Sequence, residues 1–474
     1  MEDLPYPLVV DILGRLRKAS DRNSVSLTCK RILAIDNEHR QSIRVGCRLQ
    51  SAYEALTSLC VRFPNLQTVE IDYSGWTSVL GKQLDDQGLN ILACHCPSLT
   101  NLTLSFCTYI TDVGLAHLAS CSNLRSLKLN FIPGISGRGM LSLVVGCKDL
   151  LNLSLVRCLN VRSFEWLEYL GKFGNLEELF IKNCRAIGEG DLIKLGPGWM
   201  KLKRLEFKMD CDFRYAKAYD KLVALRCESL RELSLVNCII SPGRGLSCML
   251  GMCEALEKVH LDMCNGITDG DIAALASKSK RLKSFSLHLS PGFFGLTNVS
   301  YRLTDECLKA VACGCPNLEE FRLVYSKGDF PFFFYLSLDG LLTLIQSCPI
   351  RVLALEAAYF FDDLGMEALC SANLLSTLEL VQCPKISDEG IQFINRYPLL
   401  TTLKLSKCVG VTDMGLKLLI GSKKLEWLMV EDCPWITLEG IKERKKNCMA
   451  ECKIHLYEVS TFMRLQASER DAFR

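Results

Sequence analysis

Residues 96–120 read CPSLTNLTLSFCTYITDVGLAHLAS, and this stretch decides the fold. Leu99, Leu102 and Leu104 have the L-x-x-L-x-L spacing, which predicts a short strand with its leucines on one face. A cysteine follows, and then Thr111-Asp112 stands ahead of an apolar run with helical periodicity. A hydroxyl at the N-cap and a carboxylate in the first turn both satisfy exposed N–H groups of the helix that follows. The stretch therefore predicts a strand, a loop and a helix.

The same pattern returns through most of the chain. Most steps between units are 25 or 26 residues, within the 20–29-residue period of leucine-rich repeats. The first apolar residues of the units are Leu66, Leu99, Leu124, Leu150, Leu176, Leu202, Leu230, Leu256, Leu282, Leu318, Ile350, Leu375, Leu400 and Leu425. We therefore predict an α/β fold, a leucine-rich-repeat solenoid in which parallel short strands and helices form a horseshoe of about fourteen repeats. Repeats are expected over 66–447, a linker or N-terminal cap over 46–65, and a C-terminal cap and tail over 448–474, with a closing strand near 452–456.

Composition excludes several classes of function. The chain has 474 residues and a formal net charge of +3, so no charge excess suggests nucleic acid or a membrane surface as the main partner. No apolar run reaches the roughly 18–20 residues that span a bilayer, and the N-terminal MEDLPYPLVV lacks the basic and apolar regions of a signal peptide. We therefore expect the nucleus and/or the cytoplasm. The 26 cysteines recur at fixed repeat positions, where reduced thiols are expected to fill the core.

Residues 1–45 carry no repeat signature and predict a separate helical unit. One helix is expected to place Leu8, Val9, Ile12, Leu13 and Leu16 on one side. A second helix is expected from about Asn23 to Ile35, with Asp21 as its cap, and a third from Asp36 or Asn37. Three such helices cannot bury a full core alone, so the array or another protein must cover some of these apolar side chains.

These N-terminal residues resemble the F-box. The resemblance is carried by Leu4-Pro5, by the apolar helix and by the run DRNSVSLTCKR at 21–31, which is similar to plant hormone-receptor F-box proteins of the auxin and jasmonate type. The chain departs from that pattern at Pro7, where glutamate is common, and at Ile32, where tryptophan is usual. The alternative is an ordinary helical cap of the repeats. The resemblance implies a small three-helix F-box domain at 1–45 that contacts a Skp-family adaptor through Leu4, Pro5, Leu8, Val9, Ile12, Leu13, Leu16, Val25, Leu27, Cys29, Lys30 and Arg31.

The cysteine-containing repeats resemble those that accompany F-boxes. Together the two resemblances imply the substrate-recognition subunit of an SCF-type cullin-RING ubiquitin ligase, with no catalytic residues and no cofactor of its own. The adaptor would link it to cullin and RING subunits, and the repeats would hold the protein to be ubiquitinated. Two alternatives stay open: a non-ligase scaffold, and a hormone or small-ligand co-receptor. For the latter the neighbouring basic residues are Lys182, Arg204 and Lys208, interleaved with Glu178 and Glu206.

Long loops in neighbouring repeats carry a set of aromatic residues. Residues 290–305 and 326–340 lengthen two successive units, and the next unit continues with further aromatics. We expect stacking of the repeats to bring these residues together as a contact surface for a protein substrate, or alternatively as a satellite core that holds the loops down. The candidates are Phe293, Phe294, Phe332, Phe333, Phe334, Tyr335, Tyr359, Phe360 and Phe361.

The sequence offers no constellation for catalysis or metal binding. G-x-x-x-x-G-K-[ST], G-x-S-x-G and H-E-x-x-H are all missing from it. His260 and His288 fall at corresponding positions of adjacent units and are expected to lie near each other as polar lining. Neither has an acidic or cysteine partner at ligand spacing, so no metal site is predicted.

Overall fold

A computed structural model of the chain describes residues 4–16, 18–46, 52–75, 77, 82–162, 165–184, 199–209, 227–238, 253–264, 266–289, 303–325, 335–419, 424–437, 439–440 and 453–457. The chain falls into two units, Met1–Leu230 and Arg231–Arg474. In both, short strands alternate with helices or loops, as the L-x-x-L-x-L spacing predicts.

The first unit begins with three helices, α1 (Tyr6–Arg15), α2 (Ala19–Ser26) and α3 (Lys30–His39). Its strands are β1 (Ser42–Gly46), β2 (Thr68–Asp72), β3 (Asn101–Ser105), β4 (Ser126–Asn130), β5 (Asn152–Val156), β6 (Glu178–Lys182) and β7 (Arg204–Lys208). Between them lie α4 (Ala52–Arg62), α5 (Asp86–His95), α6 (Asp112–Leu118), α7 (Gly137–Gly146) and α8 (Glu165–Phe173).

The N-terminal helices correct two sequence predictions. The expected helix from Asn23 to Ile35 is broken, because Cys29 is extended and its Sγ accepts a hydrogen bond from the Ile32 backbone N–H at 3.4 Å, which starts α3. Asp36 does not start a third helix either. It lies inside α3, where it is completely buried and bonded to neighbouring polar side chains.

The second unit contains the strands β8 (Glu232–Val236), β9 (Lys258–Asp262), β10 (Ser284–Leu289), β11 (Glu320–Tyr325), β12 (Val352–Glu356), β13 (Thr377–Val381), β14 (Thr402–Ser406), β15 (Trp427–Glu431) and β16 (Lys453–Tyr457). Its α-helices are α9 (Asp269–Lys278), α10 (Asp305–Gly314), α11 (Leu338–Ser347), α12 (Asp363–Ala368), α13 (Asp388–Gln392) and α14 (Asp413–Leu418). Short 3-10 helices, Leu369–Ser371 and Phe393–Arg396, extend α12 and α13.

Within each unit, successive strands pair in parallel and in sequence order. All fourteen predicted first apolar residues are buried, and each lies two residues before one of the strands β2–β15. The expected closing strand is β16, which pairs with β15. These observations confirm the predicted leucine-rich-repeat fold, in which each repeat contributes its own leucines to a continuous core.

The sheet begins earlier than the sequence predicts. β1 lies at the end of the expected F-box segment 1–45 and pairs in parallel with β2. Ile43 and Val45 are buried opposite Val69 and Ile71. This repeat lacks the leading leucine that marks the others, so its two apolar residues alone gave too weak a pattern to recognise.

A left-handed residue ends many of the strands. Phe106, Arg157, Gln382 and Lys407, for example, have φ between 50° and 59° although none is glycine. The backbone N–H of each of these four residues donates to the carbonyl of the last residue of the next strand, as Phe106 does to Asn130 at 2.8 Å. The strained backbone is therefore stabilised by continuing the hydrogen-bond ladder between repeats.

The cysteines that follow these turns are core residues. Cys107, Cys158, Cys383 and Cys408 are completely buried, and the Sγ of Cys158 donates to the backbone carbonyl of Leu129 in the preceding repeat at 3.5 Å. Burial raises the pKa of Cys107 to about 12, so its thiol stays protonated at neutral pH. The burial of these cysteines agrees with the predicted role in the core.

Aspartates at the helix starts connect neighbouring repeats. Asp86 accepts from both the backbone N–H and the hydroxyl of Thr111 in the next repeat, at 2.7 and 2.6 Å. The Thr111 hydroxyl in turn accepts from the Val113 N–H of its own helix. The prediction that a first-turn aspartate satisfies N–H groups of its own helix was therefore wrong for the aspartates that make this link. The same link joins Asp112 to Ser136, Asp269 to Thr304, Asp305 to Ser337, Asp363 to Ser387, Asp388 to Thr412 and Asp413 to Thr437.

None of the helices in the described ranges combines the length and the apolar character needed to cross a membrane.

Candidate protein-binding surfaces

The first candidate surface, the helical face, is formed by exposed apolar side chains of the N-terminal helices. Leu8 is 50% exposed and Ile12 41% exposed, and their i, i+4 spacing places them side by side on α1. Leu27, between α2 and α3, is 76% exposed. Exposed apolar side chains that lie side by side, as Leu8 and Ile12 do, are typical of protein-binding sites.

Two of the predicted adaptor contacts cannot belong to this face. Val9 and Leu13 are 3% and 1% exposed, because they turn inward and pack with Ile32 and Ile35 in the core of the helices. The prediction that Val9 and Leu13 contact the adaptor was therefore wrong. The other predicted contacts are at least partly accessible: Leu4, Leu16, Val25 and Cys29 are half-buried, whereas Pro5, Leu8, Ile12, Leu27, Lys30 and Arg31 are exposed.

A buried charged cluster fixes the helices behind this face. The Asp36 carboxylate accepts from Arg22 Nε, Arg40 Nη2 and Ser26 Oγ at 2.6–2.7 Å. Burial alone would raise the pKa of Asp36, but the hydrogen bonds from Ser26, Arg40 and Arg22 together lower it below its ordinary value. Because these partners come from α2 and from the residue after α3, Asp36 on α3 holds these segments in one arrangement.

The second candidate surface is the strand face, which we define as the outward residues at the first, third and fifth positions of each strand. In the second unit, over β8–β15, it carries three lysines or arginines, Lys258, Arg322 and Lys404. It carries six carboxylates: Glu232, Asp262, Glu320, Glu356, Glu379 and Glu431. In the first unit acidic and basic residues on this face nearly balance. The strand face of the second unit is therefore the more acidic one.

The predicted aromatic surface separates into exposed and buried members. Tyr335 and Tyr359 are 44% and 43% exposed, so they are available to a partner. Phe360 is half-buried, with its ring centroid 6.2 Å from that of Tyr325 in an edge-to-face arrangement. Phe361 is completely buried and cannot contact a partner, so naming it as a binding residue was wrong and the packing alternative applies to it. The remaining candidates, Phe293, Phe294, Phe332, Phe333 and Phe334, lie outside the described residues.

Two of the three basic residues considered for a small ligand already have partners in the first unit. Lys182 Nζ lies 2.8 Å from the Glu206 carboxylate, and the guanidinium of Arg204 lies 5.0 Å from the centre of the Phe180 ring. Glu178 accepts from the Asn152 side chain at 3.0 Å. The arrangement therefore neutralises part of the positive charge that an anionic ligand would need.

His260 and His288 do lie close together, as predicted, and Asp262 joins them. Its carboxylate is 2.5 Å from His288 Nδ1 and 3.8 Å from His260 Nε2. Hydrogen bonding to His260 and His288 holds the pKa of Asp262 far below its ordinary range. Sequence reasoning missed Asp262, although it stands two residues after His260 and therefore on the same outward face of β9. In the described ranges no group of three or more His, Cys, Asp or Glu residues could hold a metal ion.

Parallel strands in sequence order, buried repeat leucines and capped helices give this chain a leucine-rich-repeat fold. Comparisons with known proteins agree, because the family described as Leucine Rich repeat matches residues 95–119. The chain is also 24% identical over 355 residues to Transport inhibitor response 1-like protein from Oryza sativa subsp. japonica. That similarity covers 67% of this chain and 58% of the rice protein, so the chain spans less than two thirds of its relative's length.

Three solved structures are similar to this chain. Rad7 in the yeast Rad7–Elc1 complex is similar over 98% of this chain and 94% of its own, with 15% identity and a TM-score of 0.46. The complex of TLR13 with ssRNA13 gives a TM-score of 0.48 at 15% identity, over 82% of this chain and 52% of that one. Internalin inlF of Listeria monocytogenes gives a TM-score of 0.42 at 16% identity, over 86% of this chain and 92% of that one.

Proposed function

We propose that this chain is the substrate-recognition subunit of an SCF-type cullin-RING ubiquitin ligase in the nucleus or cytoplasm. The helical face binds a Skp-family adaptor, which connects the chain to the cullin and RING subunits. The leucine-rich repeats bind the protein to be ubiquitinated. In this role the chain contributes binding surfaces, and the transfer of ubiquitin is carried out by the other subunits.

One observation carries the proposal: Leu8, Ile12 and Leu27 are exposed on a helical segment that stands ahead of the repeats. A helical cap would turn its apolar side chains toward the repeat that it covers. Here Val9 and Leu13 pack with Ile32 and Ile35 in the core of the helices, whereas Leu8 and Ile12 are exposed outside that core. The similarity to a Transport inhibitor response 1-like protein supports the same proposal, because the resemblance of residues 4–31 is to F-boxes of that receptor type.

Co-purification with a Skp-family adaptor tests the proposal. The chain is co-expressed with the adaptor, and the two are expected to elute together from a sizing column. The double substitution Leu8→Asp and Ile12→Asp should raise the Kd at least about 100-fold, because apolar contact is lost and two carboxylates are desolvated.

A matched control uses two apolar residues of the same unit that are even more exposed than Leu8 and Ile12. Val61 is 65% exposed on α4 and Val113 is 57% exposed on α6. The double substitution Val61→Asp and Val113→Asp should leave adaptor binding unchanged. Equal loss of binding in both double variants, or no complex with the unsubstituted chain, would refute the proposal.

A further inference from the structure

A groove lies on the strand face of the second unit, between β13 and β15. Its volume is about 290 Å³, and it is lined by Glu379, Thr402, Lys404, Trp427, Leu428 and Met429. This volume is at the lower end of the range for small-molecule sites. The groove is therefore large enough for one or two side chains of a partner protein.

The walls of the groove provide the residue types that anchor protein interfaces. Trp427 stands at the first outward position of β15 and is 40% exposed. Met429, two residues later, is the next outward residue on the same strand. Tryptophan dominates the binding energy of many interfaces, and methionine adapts its shape to different apolar partners. An inserted apolar side chain would therefore find a favourable contact here.

The rim of the groove is acidic. Arg322 reaches from β11 across β12 to Glu379 on β13, at 3.1 Å, and the same guanidinium contacts Glu320 at 2.6 Å. This reach is possible because the residue between them on β12 is the small Ala354. One positive charge is thus shared by two carboxylates, which leaves net negative charge beside the groove.

Glu356 adds a further carboxylate on β12, the strand that pairs with the strand of Glu379. It is the last residue of β12 and is half-buried, and it has no ion pair with any residue that the structure describes. On the opposite side, Lys404 Nζ lies 3.9 Å from the carboxylate of Glu431, so its charge is balanced locally. The excess of carboxylates on this strand face therefore favours a positively charged partner.

We infer that this groove binds an extended, basic segment of a partner protein, which inserts an apolar side chain against Trp427 and places a lysine or arginine near Glu356 and Glu379. The inference rests on the proposed function, in which such a segment belongs to the protein to be ubiquitinated. The inference places the binding site for this segment in the second unit and predicts that the segment is basic and carries an apolar anchor residue. Binding at the groove does not require the helical face, so the two proposals can fail separately.

Selection from a displayed library of random 12-residue peptides tests the inference. The full-length chain is the target, and the selected peptides are synthesised and their Kd values are measured by fluorescence anisotropy. Peptides with an apolar residue flanked by lysine or arginine are expected to be enriched. Because the contact is partly ionic, their Kd should rise as salt is increased from 50 to 300 mM.

Two pairs of variants locate the binding site. Trp427→Ser should weaken the selected peptides at least about tenfold, whereas Trp435→Ser, at a tryptophan that is 64% exposed outside the strand face, should not. Glu356→Gln should weaken them several-fold, whereas Glu389→Gln, at an exposed glutamate of α13, should not.

Several results would overturn the inference. They are the failure to select any binding peptide, the enrichment of acidic peptides, and binding that Trp427→Ser leaves intact. The proposed ligase function would survive any of these results if the adaptor still binds. Conversely, if peptides bind this groove but the chain fails to bind the adaptor, the inferred binding site would be supported and the proposed ligase function refuted.

Discussion

The link between neighbouring repeats makes a quantitative prediction at Asp388. Its carboxylate accepts from the Thr412 backbone N–H at 2.8 Å and from the Thr412 hydroxyl at 2.6 Å. A hydrogen bond to a charged group contributes about 1.5–3 kcal/mol, and Thr412 is half-buried, so Asp388→Ala should lower the free energy of unfolding by about 3 kcal/mol. For a unit of this size, that loss corresponds to a fall in Tm of about 6–12 °C.

A glycine on the next helix allows a stricter test of the same link. A Cβ added at Gly415 would stand 2.4 Å from Asp388 Oδ1, so Gly415→Ala should push the carboxylate away from Thr412. Once Asp388 is alanine, that oxygen is gone and the added methyl group meets less resistance. The double variant should therefore be about as stable as Asp388→Ala alone. The coupling energy between the two positions is then equal to the loss in Gly415→Ala alone, about 2 kcal/mol.

Urea and thermal unfolding, followed by circular dichroism, measure these four proteins. Asp339→Ala is the control, because Asp339 is an exposed aspartate in the first turn of α11 whose side chain makes no link to the next repeat. It should leave the unfolding midpoint nearly unchanged. Additive losses at Asp388 and Gly415, or an equal loss in Asp339→Ala, would refute the reasoning.

Further predictions concern the N-terminal cluster and the aromatic residues. Asp36→Asn should destabilise the N-terminal helices at pH 7. The pKa of Asp36 is lowered on folding, so its contribution is present above its unfolded pKa and is lost as the pH falls through the folded value. The difference in Tm between wild type and variant should therefore shrink as the pH is lowered through this range. Phe361→Ala should cost about 3–5 kcal/mol of stability because the ring is completely buried. Tyr359→Ala, at a residue that is 43% exposed, should leave Tm within about 3 °C and weaken substrate capture instead. The opposite pattern in calorimetry and pull-down would contradict the assignment.

The repeat fold could be predicted because its signal is local. Fourteen repeats mark their strands by apolar residues at fixed spacing, so Leu99 or Leu375 can be placed without knowing any distant contact. The left-handed turn after many of the strands could not be found in this way. Phe106, Arg157 and Gln382 share no residue type, and they are held by hydrogen bonds to the next strand instead of by their own propensity.

The candidate sites were predicted less completely because they depend on packing between elements. Periodicity placed Leu8, Val9, Ile12 and Leu13 on one side of α1, but the position of Ile32 decides that Val9 and Leu13 are buried while Leu8 and Ile12 are exposed. The acidic groove was missed altogether. Its residues come from neighbouring strands whose outward positions the repeat pattern leaves unconstrained.

Assembly with purified ligase subunits tests the central proposal most directly. The full-length chain is mixed at micromolar concentration with a Skp-family adaptor, a cullin and a RING subunit, and the masses of the resulting complexes are measured by mass photometry. We predict a single species that contains one copy of this chain, and its loss in the variant with Leu8→Asp and Ile12→Asp. A chain that stays apart from the adaptor–cullin–RING complex at these concentrations would contradict the account.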